Sequence, residues 1–147
     1  MKYPIGIQSF DQIREEGYVY VDKTALVYDL VTNGKIYFLG RPRRFGKSLL
    51  VSTLENYFLG KKELFKGLAI DSLEKEWKEH PVFHIDFNGN NFTSPFELKN
   101  AIETFISMQE AKYGKNPLAT TYGDRISYVF EKAHEQTGQR VVVLIDE

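Results

Sequence analysis

Residues 41–48 read RPRRFGKS, and the fold turns on how this stretch is read. Its end, Gly46-Lys47-Ser48, matches the end of the phosphate-binding pattern GxxxxGK[ST]. The first glycine of that pattern falls on Arg41, so the stretch is either a nucleotide site with unusual walls or a basic turn that contains Gly-Lys-Ser. The flanks bear on the choice. Residues 35–40, KIYFLG, are a short apolar run rich in β-formers and bounded by glycines, which predicts a buried strand. From Lys47, KSLLVSTLENYFLG sets Leu49, Leu50, Thr53, Leu54, Tyr57 and Phe58 on one helical face, with Gly60 as the stop. A strand-loop-helix junction aims the free backbone N–H groups of the helix, and the positive end of its dipole, at whatever fills the loop. In that setting Gly46 frees the backbone, Lys47 reaches the β- and γ-phosphates and the Ser48 hydroxyl ligates magnesium.

Such a site needs an acid at the end of another buried strand. RVVVLIDE, residues 140–147, is a continuous apolar run ending in two acids, as expected of a strand buried on both faces. Asp146 would accept hydrogen bonds from magnesium-bound water, and Glu147 would act as base or water-positioner at the γ-phosphate. Arg41, Arg43 and Arg44 fit three settings: a solvated basic turn, a nucleic-acid patch, or guanidinium partners for a triphosphate.

Elsewhere the punctuation is local. Phe10 to Glu16 has helical character and stops at Gly17, a short extended piece covers Tyr18 to Val21, and a helix capped by Thr24 closes at Asn33-Gly34. VFHIDF, residues 82–87, predicts a second strand. Ser94-Pro95-Phe96-Glu97 combines a cap, a proline at the first helical position and an acid three residues after the cap, predicting a helix to about Tyr113. A further helix is expected from Tyr122 to Gln136, stopped by Gly138. Strands alternating with helices predict an α/β fold with a mainly parallel sheet, spanning 1–147 as a single domain.

The 19 basic and 20 acidic residues leave a formal charge of -1, so no global field draws the chain to nucleic acid or anionic membrane. There is no cysteine, which excludes disulfides, thiolate zinc sites and a cysteine nucleophile. Without a signal-peptide core or a long apolar run, a soluble cytoplasmic protein is expected. His80, His84 and His134 lack ligand spacing. Asp86 with Glu97-Leu98-Lys99 superficially matches a nuclease constellation, but Glu97 is better explained as a first-turn helix acid.

RPRRFGKSLLVSTLENYF, together with YVYVDKT at 18–24 and the terminal VVVLIDE, resembles the AAA-ATPase-like domain of a bacterial and archaeal family whose members often carry a C-terminal nuclease-like domain of the PD-(D/E)XK type. In that family the loop reads Arg-Pro-Arg-Arg-Phe-Gly-Lys-[Ser/Thr], so Arg41 in place of glycine is a family trait. The resemblance implies a P-loop NTPase fold of the ASCE/AAA-like kind, three layers α/β/α, with ATP and Mg2+ as cofactors. It implies a nucleotide-binding stretch of Arg41, Pro42, Arg43, Arg44, Phe45, Gly46, Lys47, Ser48 and Leu49, magnesium held by Ser48 and Asp146, and catalytic roles for Lys47 and Glu147.

Three functions stay open: Mg-dependent ATP hydrolysis, a regulatory nucleotide switch controlling an attached nuclease-like effector, and a basic nucleic-acid-binding module. In the first two, nucleic acid is met only indirectly. Asp22-Lys23-Thr24 matches a family motif and fits either base or ribose contact or helix capping. The chain stops directly after the acids, before the polar sensor strand of this fold class, so a fragment of a longer protein is expected, with unpaired apolar strand edges that invite aggregation.

Overall fold

The structure is a computed structural model that describes residues 1–147 except 43, 44, 88–91 and 147. Among the described residues the helices are α1 (Phe10–Glu15), α2 (Thr24–Asn33), α3 (Lys47–Phe58), α4 (Ala69–Leu73), α5 (Pro95–Tyr113) and α6 (Tyr122–Thr137). The strands are β1 (Val82–Asp86) and β2 (Val142–Asp146), and Lys62–Phe65 forms a 3₁₀ turn. The chain divides into two compact units, Met1–Glu79 with Asp146, and His80–Ile145.

In the first unit, α1 to α4 and the 3₁₀ turn close around Phe10, Val27, Leu64, Phe65 and Ile70. The helical face read from KSLLVSTLENYF supplies Leu49, Leu50, Leu54 and Tyr57 to this core. Phe65 sits between Phe10, at 4.7 Å between ring centroids, and Trp77, at 5.1 Å. Burying a ring of this size contributes roughly 1.5–3 kcal/mol relative to leaving it in water. Arg14 ties α1 to the 3₁₀ turn: its Nε donates to the Leu64 carbonyl at 2.7 Å and its Nη2 to the Lys66 carbonyl at 2.8 Å. The chain reverses after α3 at Gly60, whose φ of +72° suits glycine and where a Cβ would press on the Lys78 carbonyl carbon at 3.3 Å.

In the second unit, β1 and β2 form a two-stranded parallel sheet, registered by the Val142 N–H donating to the Pro81 carbonyl at 3.0 Å. Parallel neighbours need a long crossover, and α5 and α6 lie in it. Phe83, Val129 and Ala133 form the core, and the Phe83 ring meets Phe130 edge-on at 4.8 Å. Arg125 joins the two helices: Nη1 lies 2.5 Å from Glu103 Oε2 and Nη2 lies 2.6 Å from Glu110 Oε1. The Ser94 cap forms as read, and Thr121 supplies a second cap that was not read from the sequence. Ser94 Oγ accepts from the Glu97 N–H at 3.4 Å, and Thr121 Oγ1 accepts from the Asp124 N–H at 3.1 Å. Glu97 Oε2 in turn accepts from the Thr93 N–H and hydroxyl, which hold its carboxyl below the usual range. This acid serves the helix start, which agrees with setting the nuclease constellation aside.

Strand and helix alternate with a parallel pair, so the fold is α/β; three expectations need correction. Residues 35–40 form no strand, and Ile36 and Phe38 are 95% and 90% exposed. A strand exists only with a partner for its N–H and C=O groups, and among the described residues the only sheet is β1–β2. β2 is not buried on both faces: Val143 and Ile145 are exposed, because a sheet with helices packed on one face sends alternate residues to solvent. Thr24 is the first helical residue of α2, not its cap, because its hydroxyl is committed elsewhere. Among the described residues no helix is long and apolar enough to cross a membrane.

Candidate functional site

The first turn of α3 carries the residues that decide whether anything anionic could bind. Gly46 is its cap residue, at φ +77°, with no side-chain cap bond. A Cβ at Gly46 would meet nothing within 4 Å, so glycine is required there by backbone conformation and not by crowding. The first intrahelical bond is Leu50 N–H to the Gly46 carbonyl, 3.0 Å, which leaves the preceding N–H groups of Lys47, Ser48 and Leu49 as the free donors of a helix start. These donors share one end of the helix with the positive end of its dipole.

Lys47 and Ser48 are half-buried, and neither side chain has a hydrogen-bond or ion-pair partner among the described residues. Leu49 points the other way, onto the aromatic core, and so anchors this turn. Arg41 occupies the position of the missing glycine and turns inward on the loop, its Nη1 donating to the Phe45 carbonyl at 3.5 Å. Arg41, Pro42 and Phe45 are exposed. Arg43 and Arg44 lie outside the described residues, as does Glu147.

Asp146 closes β2 and is 6% exposed. Among the described residues no group of three or more His, Asp or Glu side chains gathers to hold a metal. The histidines serve local structure: His80 Nδ1 lies 2.9 Å from the Arg140 carbonyl and His134 Nδ1 lies 2.8 Å from the Gln139 carbonyl.

Sequence reasoning left Asp22-Lys23-Thr24 unassigned, and the structure places its outer two side chains in a network. Asp22 Oδ1 accepts from the Thr24 N–H at 2.9 Å and the Thr24 hydroxyl at 2.6 Å, while Oδ2 accepts from the Ala69 N–H at 2.8 Å. The Thr24 oxygen accepts from the Ile70 N–H at 3.1 Å. Partial burial works against the Asp22 charge, yet the bonds from Thr24 and Ala69 and the charge of Arg14 hold its carboxyl below the ordinary value of 3.8. The local half of this network, Asp22 to Thr24, is readable from spacing; the half that reaches α4 has no signal in the sequence.

A curated relative from Azotobacter chroococcum mcd 1, described as an uncharacterized protein in vnfD 5'region, is 40% identical over 147 residues. The match takes in 99% of this chain and 28% of that relative, so the chain spans little more than a quarter of the relative's length. No solved structure matches the chain. The family described as "Predicted AAA-ATPase" matches residues 4–147, a span that holds Gly46-Lys47-Ser48 at the start of α3 and Asp146 at the end of β2, and the chain belongs to this AAA-ATPase-like family.

Proposed function

We propose that this protein binds magnesium-ATP at the start of α3, with the triphosphate across Gly46, Lys47 and Ser48. The observation that carries the reading is the state of that turn: a left-handed glycine, and, among the described residues, three free N–H groups and two polar side chains without partners, in a chain of the AAA-ATPase-like family. The N–H groups would hold the phosphate oxygens, Lys47 would neutralise the β- and γ-phosphates, and Arg41 would add positive charge at the rim. Leu49, fixed in the core, keeps the turn from moving when charge arrives.

The Ser48 hydroxyl and the Asp146 carboxylate are the groups suited to a magnesium shell, since Mg2+ takes oxygen ligands and keeps several waters. Bound there, the ion would neutralise charge on the β- and γ-phosphate oxygens. Hydrolysis belongs to the same proposal: Glu147 would orient water and accept its proton, and Lys47 would stabilise charge on the transferring group. Turnover coupled to an attached effector in the whole protein, and the P-loop three-layer architecture, are parts of this reading too.

The experiment is calorimetric titration of the purified protein with magnesium-ATP, alongside Lys47→Ala and Glu147→Gln. Micromolar binding that is lost in Lys47→Ala and kept in Glu147→Gln, with phosphate release lost in both, is the expected result. A folded protein that binds no nucleotide removes the proposal. Binding with equal phosphate release by wild type and Glu147→Gln leaves ATP binding standing and removes the role of Glu147.

A further inference from the structure

We propose that Tyr20, Asp22 and Thr24 are positioning residues that hold the first turn of α3 in place for its anion, a role that rests on the ATP-binding reading above. The three lie at every second position of the stretch that leads into α2: Tyr20 and Asp22 precede the helix, and Thr24 is its first residue. Asp22 and Thr24 are tied to α4, and Tyr20 packs on α1.

Asp22 and Thr24 bind each other through two hydrogen bonds and the start of α4 through two more, and Thr24 is fully buried. The Tyr20 ring meets Phe10 edge-on at 5.2 Å, and burial raises the pKa of its phenol, which Thr53 beside it partly offsets. Thr53, 1% exposed, donates its own proton to the Leu49 carbonyl at 2.8 Å. The 20–24 segment therefore binds the Ala69 and Ile70 N–H groups at one end and, at the other, adjoins Thr53, which is bonded to the carbonyl of the residue that follows Lys47 and Ser48.

Apolar packing joins the same elements. Val27, one turn beyond Thr24, and Ile70, whose N–H Thr24 receives, are both in the buried cluster against which Leu49 and Leu50 pack. The cluster packs along α3, whose free N–H donors lie at its N-terminal end. Ser52 adds a tie to α1 by accepting from the Phe10 N–H at 2.9 Å. Loosening the 20–24 segment thus changes what α3 leans on without touching the residues that would meet the triphosphate. An anion cradle of N–H groups is sensitive to such shifts, because displacement by roughly 1 Å can cost about 100-fold in a positioned interaction.

The test compares Thr24→Val, Thr24→Ser and Asp22→Asn with wild type, reading magnesium-ATP affinity and the emission of Trp77, the one tryptophan of the chain and a member of the same cluster. Thr24→Val deletes both bonds of the hydroxyl; Thr24→Ser restores them; Asp22→Asn keeps the shape but turns an amide N–H toward the Ala69 N–H. The expected result is an affinity about tenfold weaker in Thr24→Val and Asp22→Asn, and within about twofold of wild type in Thr24→Ser, all under conditions where Trp77 emission stays native. Affinity unchanged in folded Thr24→Val, with only a lower unfolding midpoint, overturns the proposal and makes the network purely structural. Should Thr24→Val not fold, Asp22→Asn and Tyr20→Phe decide by the same criterion. Failure of wild type to bind is a separate outcome, which withdraws the ATP reading and this inference with it.

Discussion

The two units solve the same problem, a small core under short helices, with different materials. The first closes on rings: Phe10, Phe65, Tyr57 and Trp77 meet in a chain of centroid contacts between 4.7 and 6.4 Å. The second has a smaller apolar core and sets an arginine between two carboxylates, with the Arg125 and Glu110 side chains only 11% and 5% exposed. Ring packing loses energy gradually as atoms are removed, because its attraction is spread over many contacts that are each weak. An enclosed ion pair does not: its desolvation cost is met only while its partners stay in place. The first unit should therefore lose stability in proportion to lost volume, and the second should fail when a single charge goes.

The largest effect that would break this contrast lies in the first unit. Phe65→Ala should destabilise it by about 3–5 kcal/mol, followed by Trp77 emission during urea unfolding. A loss below about 1 kcal/mol would mean that the ring cluster is not what holds the unit.

Next comes Arg125→Met, which keeps the stem and removes the charge. Glu110 is left enclosed without a partner, and amide exchange measured across α5 and α6 should accelerate more than in any cap variant of those helices. The same variant sharpens the comparison through pH. Hydrogen bonding to Arg125 holds the Glu103 carboxyl below its ordinary value of 4.5, so this group's contribution to stability is complete above about 4.5 and fades as pH falls through the lower folded value. In Arg125→Met that acid limb should flatten; an unchanged limb would show that Arg125 and Glu103 do not act together in solution. The smallest effect is Ser94→Ala, which removes one capping acceptor and should cost about 1 kcal/mol, read as faster exchange in the first turn of α5 alone.

How much of this was legible depends on range. Cap and stop signals act within four residues: α5 begins where Ser94 places it, α3 ends two residues before Gly60 and α6 ends beside Gly138, whereas the Thr121 cap was not read from the sequence. Residues 35–40 show the opposite case. Their apolar run suits a strand, but a strand is a property of two segments, and composition says nothing about whether the second is there. Phe65 is one of several apolar residues in a polar stretch to which no periodicity assigns an element, and it is fully buried. At the candidate site, Gly46, Lys47, Ser48 and Leu49 could be read because the chemistry of a helix start is local, whereas the bonds from Asp22 and Thr24 to Ala69 and Ile70 join residues more than forty positions apart.

The parallel pairing of β1 and β2 also has a consequence in time. Some sixty residues separate the Pro81 carbonyl from the Val142 N–H that it receives. At about 5–20 residues per second, a nascent β1 would wait roughly 3–12 seconds on the ribosome for its partner strand to be made. The α5 helix, with its cap and proline close at hand, can form within that interval, so one of the two helices that pack around Phe83 would be ready before the strand beside it exists. Until then the VFHID segment is an unpaired apolar stretch, and the seconds of its exposure, more than the finished sheet, set how much protection it needs during synthesis.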